Sequence, residues 1–426
     1  MTSLRIVVVA TALSVVATGM AATAQNGRGE HWVGTWATAT VPRPQGVPGA
    51  APGRGPAPLN FNNQTLRQVV HVSLGGSRVR VVLSNAFGSS PLTVGAASVA
   101  QRQKDSAIAA GSSRPLSFSG SPTTIVAAGA IAISDPVSLT VPALSDLAID
   151  IFLPGDTAAS TSPLTTHNAA LQTNYVSATG NHAGAANFPV SATTQSWFFL
   201  SAVEVTAPSQ VGAIVAFGDS ITDGTLSTPD TNNRWPDHLA RRVMGSGGGG
   251  RAQPIGVLNK GIAGNRVLSE VVGPSALARF DRDVLAQSGV THIIVLVGIN
   301  DLGLADNAQL PSAASILAGH RQIVERAHTH GIKVIAGTFL PFEGTNLGAI
   351  APNYYSTEKD SLRREINEVI RRGTGYDGVI DFEAAVRDPG HPLQLLAKFK
   401  GSDNLHLSDD GYQAMANAVN LALLRR

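Results

Sequence analysis

Apolar positions in the first half of the chain come in short runs, in "TLRQVVHVSL", "RVRVVLSNAF", "LTVGAASVA", "TIVAAGAIAI", "LAIDIFLP" and "SWFFLSAVEV". Several runs alternate apolar with polar residues, are rich in Val, Ile, Thr and Phe, and are separated by Gly, Pro, Ser and Asn, the signature of half-buried strands joined by turns. They predict an antiparallel β domain, a sandwich or a jelly roll. Between "EHWVGTWATAT" and the first run, the Pro- and Gly-rich stretch Val41–Pro58 has no periodicity and predicts an exposed loop.

From about Val211 the pattern changes. "AIVAFG", "IGVLNK", "HIIVLVG", "KVIAGTF" and "GVIDF" are apolar without alternation, and longer helical stretches such as "SAASILAGHRQIVERAHTH" and "TEKDSLRREINEVIRR" lie between them. Strands that do not alternate are buried on both faces, so this half predicts a five-stranded parallel sheet sandwiched between helices, with ligands beyond the carboxyl ends of the strands. The boundary falls near Thr206–Gln210. The expected organisation is a leader over residues 1–24, a β-rich domain over 25–208 and a three-layer αβα domain over 209–426.

Residues 1–24 place Arg5 ahead of an apolar stretch that ends on Ala22, Thr23 and Ala24, the small-residue pattern of a signal-peptidase site. Export to a secreted or periplasmic location is therefore expected, with Gln25 near the mature N-terminus and no later span of a membrane. The chain has 426 residues, 43% of them hydrophobic, and a formal net charge of +2 without a long basic run, which disfavours a nucleic-acid partner. The absence of cysteine excludes disulfides and a thiol nucleophile.

Candidate chemistry gathers at the strand ends. Ser220 follows the first parallel strand in "AIVAFGDSITDG", Gly264 and Asn265 follow the second in "NKGIAGNRV", and Asn300 follows the third in "VGINDLG". Near the C-terminus "GSDNLHLSDDG" sets Asp403 three residues before His406. A serine hydroxyl becomes a good nucleophile when a neutral imidazole takes its proton, and that imidazole needs an acceptor on its other nitrogen. His406 and Asp403 suit these two roles. The oxyanion of a tetrahedral intermediate needs donors already aimed at it, here the N–H groups of Ser220 and Gly264 and the Asn300 amide. Asp381, at the end of "GVIDF", competes with Asp403 for the acid; the three-residue spacing favours Asp403, and Asp381 reads as a cap. Asp219 and Asp301 read as structural residues, and Asn265 as either a substrate contact or a loop former.

On these four blocks, "FGDSITDG", "NKGIAGN", "GIND" and "DNLH", the sequence resembles the SGNH, or GDSL-type, hydrolase superfamily over about residues 211–426. The resemblance implies hydrolysis of carboxylic esters without a metal or other cofactor, through Ser220, Asp403 and His406, with an oxyanion hole of Ser220, Gly264 and Asn300. The glycine-flanked serine elbow of α/β-hydrolases is absent, since Ile221 and Thr222 follow Ser220. "WVGTWATA" and "TLRQVVHVSLGGSRVRVVLSNAFG" resemble the β domain of a secreted bacterial subset. The expected substrate is a small-molecule or carbohydrate ester with a short acyl group; the alternatives are a lipase or lysophospholipase, or a polysaccharide-binding protein with secondary esterase activity. His320, His328 and His330 lack accompanying acidic or thiol ligands and are not expected to hold a metal. His391 reads as a loop residue. Trp32, Trp36, Trp197 and Trp235 could serve as sugar platforms, but most of them read as core. Oligomeric state is not legible.

Overall fold

The five apolar runs of the second half form the predicted parallel sheet: Ala213–Gly218, Gly256–Gly261, Val290–Leu296, Lys333–Gly337 and Gly378–Ile380. The computed structural model describes residues 30–43, 60–245 and 254–425. The expected leader and most of the Pro- and Gly-rich stretch lie outside the described residues. In spatial order the parallel strands run second, first, third, fourth, fifth. The chain therefore leaves the first strand in one direction to make the second and in the other to make the third, and in open α/β sheets ligands bind at such a reversal, which here lies beyond Gly218.

Helices cover both faces of the sheet. α1 is the single turn Ser220–Asp223, and α2 is Trp235–Gly245. α3 (Ala276–Phe280) and α4 (Ile299–Gly303) follow the second and third strands. α5 (Ala313–Thr329) shows why the longer ones dock: Ala313, Ile316, Leu317, Ile323, Val324 and Ala327 repeat at helical spacing on the buried face. Ser312 starts it by accepting the Ser315 N–H, which removes one orphan donor of the first turn. α6 (Thr357–Arg371) is capped by Ser356 in the same way; α7 (Phe382–Val386) and α8 (Asp409–Ala418) complete the layers. Among the described residues no helix is long and apolar enough to cross a membrane.

The first half is antiparallel. One sheet has five strands, with Gly76–Ser84 at its centre, and another has seven, built around the long pairing of Asn62–His71 with Asp146–Asp156. Three of the expected runs, "LTVGAASVA", "TIVAAGAIAI" and "SWFFLSAVEV", are each two strands. "TIVAAGAIAI" breaks at Gly129, which has φ +74°, and its two ends join different sheets. The expected exposed loop also begins later than its composition suggests, because Val41–Arg43 pairs with Leu164–His167 and buries Val41.

The strand Trp32–Ala37 connects the halves. Along one edge it pairs with Leu200–Thr206, and it lies against the second parallel strand closely enough that a Cβ on Gly34 would sit 2.8 Å from Leu258 Cδ1. A Cβ on Gly256 would meet the Gly34 carbonyl at 2.3 Å, so glycine at both positions permits the approach. Lys260 Nζ donates to the Thr38 carbonyl (2.7 Å), and Ser73 Oγ accepts from the Val257 N–H (2.9 Å). One hydrophobic cluster runs through Val33, Val205 and Leu258, and His31–Arg426 is a single compact unit.

Candidate active site

Asp219 organises the turn after the first strand. It caps α1, its side chain accepting the Ile221 N–H at 3.0 Å. Ser220 thus begins a helical turn, where its own N–H has no carbonyl of a preceding turn to bind. Burial pushes the Asp219 carboxyl up to about 7, with the charge of Asp301 adding to the effect while the Ile221 N–H and Arg279 oppose it. A capping carboxyl that sheds its charge easily does not oppose an anion forming beside Ser220.

His406 reaches Ser220 from the loop before α8. Its Nε2 lies 2.8 Å from Ser220 Oγ and its Nδ1 2.6 Å from Asp403 Oδ2. Asp403 Oδ1 accepts the backbone N–H groups of Leu405 and His406, so one carboxylate shapes the loop and fixes the ring. Burial alone would raise the Asp403 carboxyl; the hydrogen bond and charge of His406 and the two backbone donors outweigh it and hold it down to about 2. A carboxylate on Nδ1 places the imidazole proton there and leaves the Nε2 lone pair facing the Ser220 hydroxyl. Asp381 is committed elsewhere: it caps α7 through the Ala384 N–H, accepts from Thr338 Oγ1 and binds Arg371 through both carboxylate oxygens.

Asn300 sits on α4 at the end of the third strand, buried like Ser220 and His406. Its Nδ2 donates to the Asn265 carbonyl (3.1 Å) and its Oδ1 accepts from the Tyr354 hydroxyl (2.8 Å). Those two bonds fix which way the amide faces and leave one N–H of Nδ2 uncommitted. Tyr354 is a site residue the sequence did not reveal, since "NYYST" shows no periodicity that aims it at Asn300. Gly264 has φ +77°, a left-handed conformation that glycine adopts without strain, and Val272 Cγ2 lies 3.0 Å from where its Cβ would be.

Asn265 turns out to shape its loop. Its Nδ2 donates to the Pro274 and Val272 carbonyls, and its Oδ1 accepts from Arg279 Nε. Asp301 tethers the same loop through the Val267 and Leu268 N–H groups. Arg279, missed in the sequence, lies buried beneath the site and donates to the carbonyls of Gly218 and Lys260, joining the ends of the first two strands. Burial lowers it to about 10, opposed by Asp283, so it remains cationic at neutral pH.

The histidines considered above as metal or loop residues find their partners elsewhere. His320 is buried between the Val297 carbonyl and the Tyr376 hydroxyl, His328 pairs with Asp377, and His330 bonds the Arg326 carbonyl. His391 is exposed in its loop. Trp36, Trp197 and Trp235 are buried, the first two edge to face, while Trp32 is half-buried under Arg80.

Comparison with known proteins bears on the same segment. Residues 216–414 match the family described as GDSL-like Lipase/Acylhydrolase. No curated protein matches the chain. Solved structures similar to it include an aryl esterase of M. smegmatis (14% identity, TM-score 0.39, covering 49% of this chain and 95% of that one). A carbohydrate acetylesterase family member from Sinorhizobium meliloti has 16% identity and a TM-score of 0.39, covering 50% of this chain and 99% of its own. A GDSL-like lipase from Bacteroides thetaiotaomicron has 19% identity and a TM-score of 0.36, covering 50% and 88%. Residues 216–414 are thus a GDSL-like lipase/acylhydrolase domain, a little under half of the chain.

Proposed function

We propose that the protein is an exported serine esterase that hydrolyses carboxylic esters through an acyl-enzyme. The observation that carries this reading is the continuous relay Asp403–His406–Ser220, at 2.6 and 2.8 Å. Ser220 Oγ attacks the ester carbonyl while its proton passes to His406 Nε2. The imidazolium, held by Asp403, then returns that proton to the departing alcohol. A water enters, gives its proton to His406 and attacks the acyl-enzyme, and the acid leaves as Ser220 recovers its hydrogen. In both steps the carbonyl oxygen becomes an anion, for which the Ser220 and Gly264 N–H groups and the free Asn300 N–H serve as donors.

Asn300→Ala is expected to cost about 2.7–4 kcal/mol of transition-state stabilisation, almost all in kcat. Steady-state kinetics on a soluble ester checks this, and a change confined to KM would make Asn300 a substrate-positioning residue. Tyr354→Phe leaves the amide without its orienting donor and is expected to lose kcat in the same direction by a smaller factor.

Export rests on the leader read in residues 1–24. For the substrate we propose a short acyl group on a carbohydrate or other extracellular ester. One observation favours a second reading as a lipase: Leu226, Leu268, Val271 and Val272 are exposed apolar residues. Val272 adjoins Gly264, and Leu226 adjoins Gly401, whose N–H binds the His406 carbonyl. A p-nitrophenyl ester series from acetate to palmitate, run beside acetylated sugars, separates the two. The highest kcat/KM is expected at acetate or butyrate, with release of acetate from the sugars. A maximum at the long chains would give the site to lipid esters.

A further inference from the structure

α1 is one turn, too short to hold its own position, because a helix repays its nucleation cost only over longer runs. Ser220 therefore stands where the contacts at the two ends of the turn put it. Asp219 fixes the entry. At the exit stands Asp223, a buried carboxylate at the carbonyl end of the turn, where negative charge is disfavoured and a partner is required. Asp223 is tied to the nucleophile within that turn: its N–H donates to the Asp219 carbonyl, and the next residue, Gly224, donates to the Ser220 carbonyl.

The partner comes from the β-rich half. His167, the last residue of the strand Leu164–His167, places Nε2 at 3.0 Å from Asp223 Oδ1, and both side chains are buried. Its Nδ1 lies 2.7 Å from the Ala39 carbonyl, which only accepts, so Nδ1 carries a proton. An ionised carboxylate also only accepts. The second bond therefore requires a further proton, carried on Nε2 as an imidazolium or on Asp223 as a carboxylic acid. In either arrangement His167 and Asp223 together hold one proton more than a neutral imidazole and a free carboxylate. Trp197 packs against the ring at 5.5 Å between centroids. The ionisable groups that share the cavity with Asp223 are Arg234 and Asp237 around the start of α2, and His71 from the β-rich half.

We infer that His167 is a positioning residue for Ser220, acting through Asp223, so that the β-rich half helps to set the alignment of the nucleophile. This rests on reading Ser220 as the nucleophile.

The test uses the full-length chain with His167→Ala, Asp223→Ala and Asp223→Asn. Four readouts are compared with wild type: kcat and KM on p-nitrophenyl acetate, the rate constant for labelling Ser220 with a fluorophosphonate, hydrogen exchange over residues 218–225, and Tm. His167→Ala and Asp223→Ala are expected to lower kcat and the labelling rate roughly tenfold to a hundredfold, as a misplacement of about 1 Å does, with KM little changed and exchange raised in 218–225. Asp223→Asn can donate its amide N–H to the lone pair of a neutral His167 with no extra proton, so it is expected to recover most of what Asp223→Ala loses. A fall in Tm with labelling, kcat and exchange unchanged would overturn the inference, as would failure of Asn to improve on Ala. If wild-type Ser220 resists the fluorophosphonate, the nucleophile reading fails instead. The exchange over 218–225 still decides whether His167 holds the turn.

Discussion

Ser220→Ala is expected to abolish ester turnover, lowering kcat by roughly six orders of magnitude while leaving the fold intact. The size follows from the relay. Without the hydroxyl, His406 has no proton to accept and no acyl-enzyme forms, leaving only the residual rate supplied by binding and the oxyanion donors. The side chain is small, and among the described residues its hydrogen bond to His406 is the one side-chain bond the substitution removes, so circular dichroism and Tm are expected to match wild type closely. Turnover near wild type would remove Ser220 from the mechanism, as would covalent labelling of a different serine by a fluorophosphonate.

Asp403→Asn is the second large effect, a loss of about four orders of magnitude in kcat. The neutral amide can turn an N–H toward His406 Nδ1, which then accepts and leaves the ring proton on Nε2, the nitrogen that must receive the proton of Ser220. The nucleophile and oxyanion donors stay in place, so KM is expected to change far less. Asp381→Asn, assayed beside it on the same ester, is expected to keep kcat near wild type and to lose stability through its bonds to Arg371 and Thr338. The reverse ranking would pass the role to Asp381.

The same carboxylate sets a pH signature. Its folded value of about 2 lies below the ordinary 3.8, so its ionisation stabilises the fold above the unfolded value. That contribution is lost as pH falls from about 4 through about 2. Asp403→Asn should flatten stability across this window.

Much of this site was legible because chemistry was attached to strand ends. Ser220, Gly264 and Asn300 each follow an apolar run without alternation, so a parallel sheet brings them to one edge whatever the detail of the loops. Asp403 and His406 are three residues apart, and the short loop that presents both is implied by their spacing. Tyr354, Arg279 and His167 were not legible, because each acts across a contact that no local pattern encodes. Tyr354 meets Asn300 from the segment ahead of α6, and His167 meets Asp223 from another sheet. Asn265 was undecided in sequence because an amide at a loop can face either way; its bonds to Pro274, Val272 and Arg279 settle that it braces the loop. In the β-rich half, "LTVGAASVA" reads as one run but divides at Gly95, whose N–H turns aside to the Phe152 carbonyl.

The strand Trp32–Ala37 also implies an expected order of events in folding. Its register joins Trp32 to Thr206, and its outer contacts wait for Gly256 and Leu258, so it can take its place only after a very large loop has closed. The entropic penalty of closure rises slowly with loop length, but pairings so distant in sequence delay the rate-limiting collapse. The parallel sheet, wound from neighbouring segments, can assemble first. Val257 and Leu258 on the flank of that sheet are buried, with Gly34 against Leu258, so a chain without the strand is expected to bare apolar surface open to association with another.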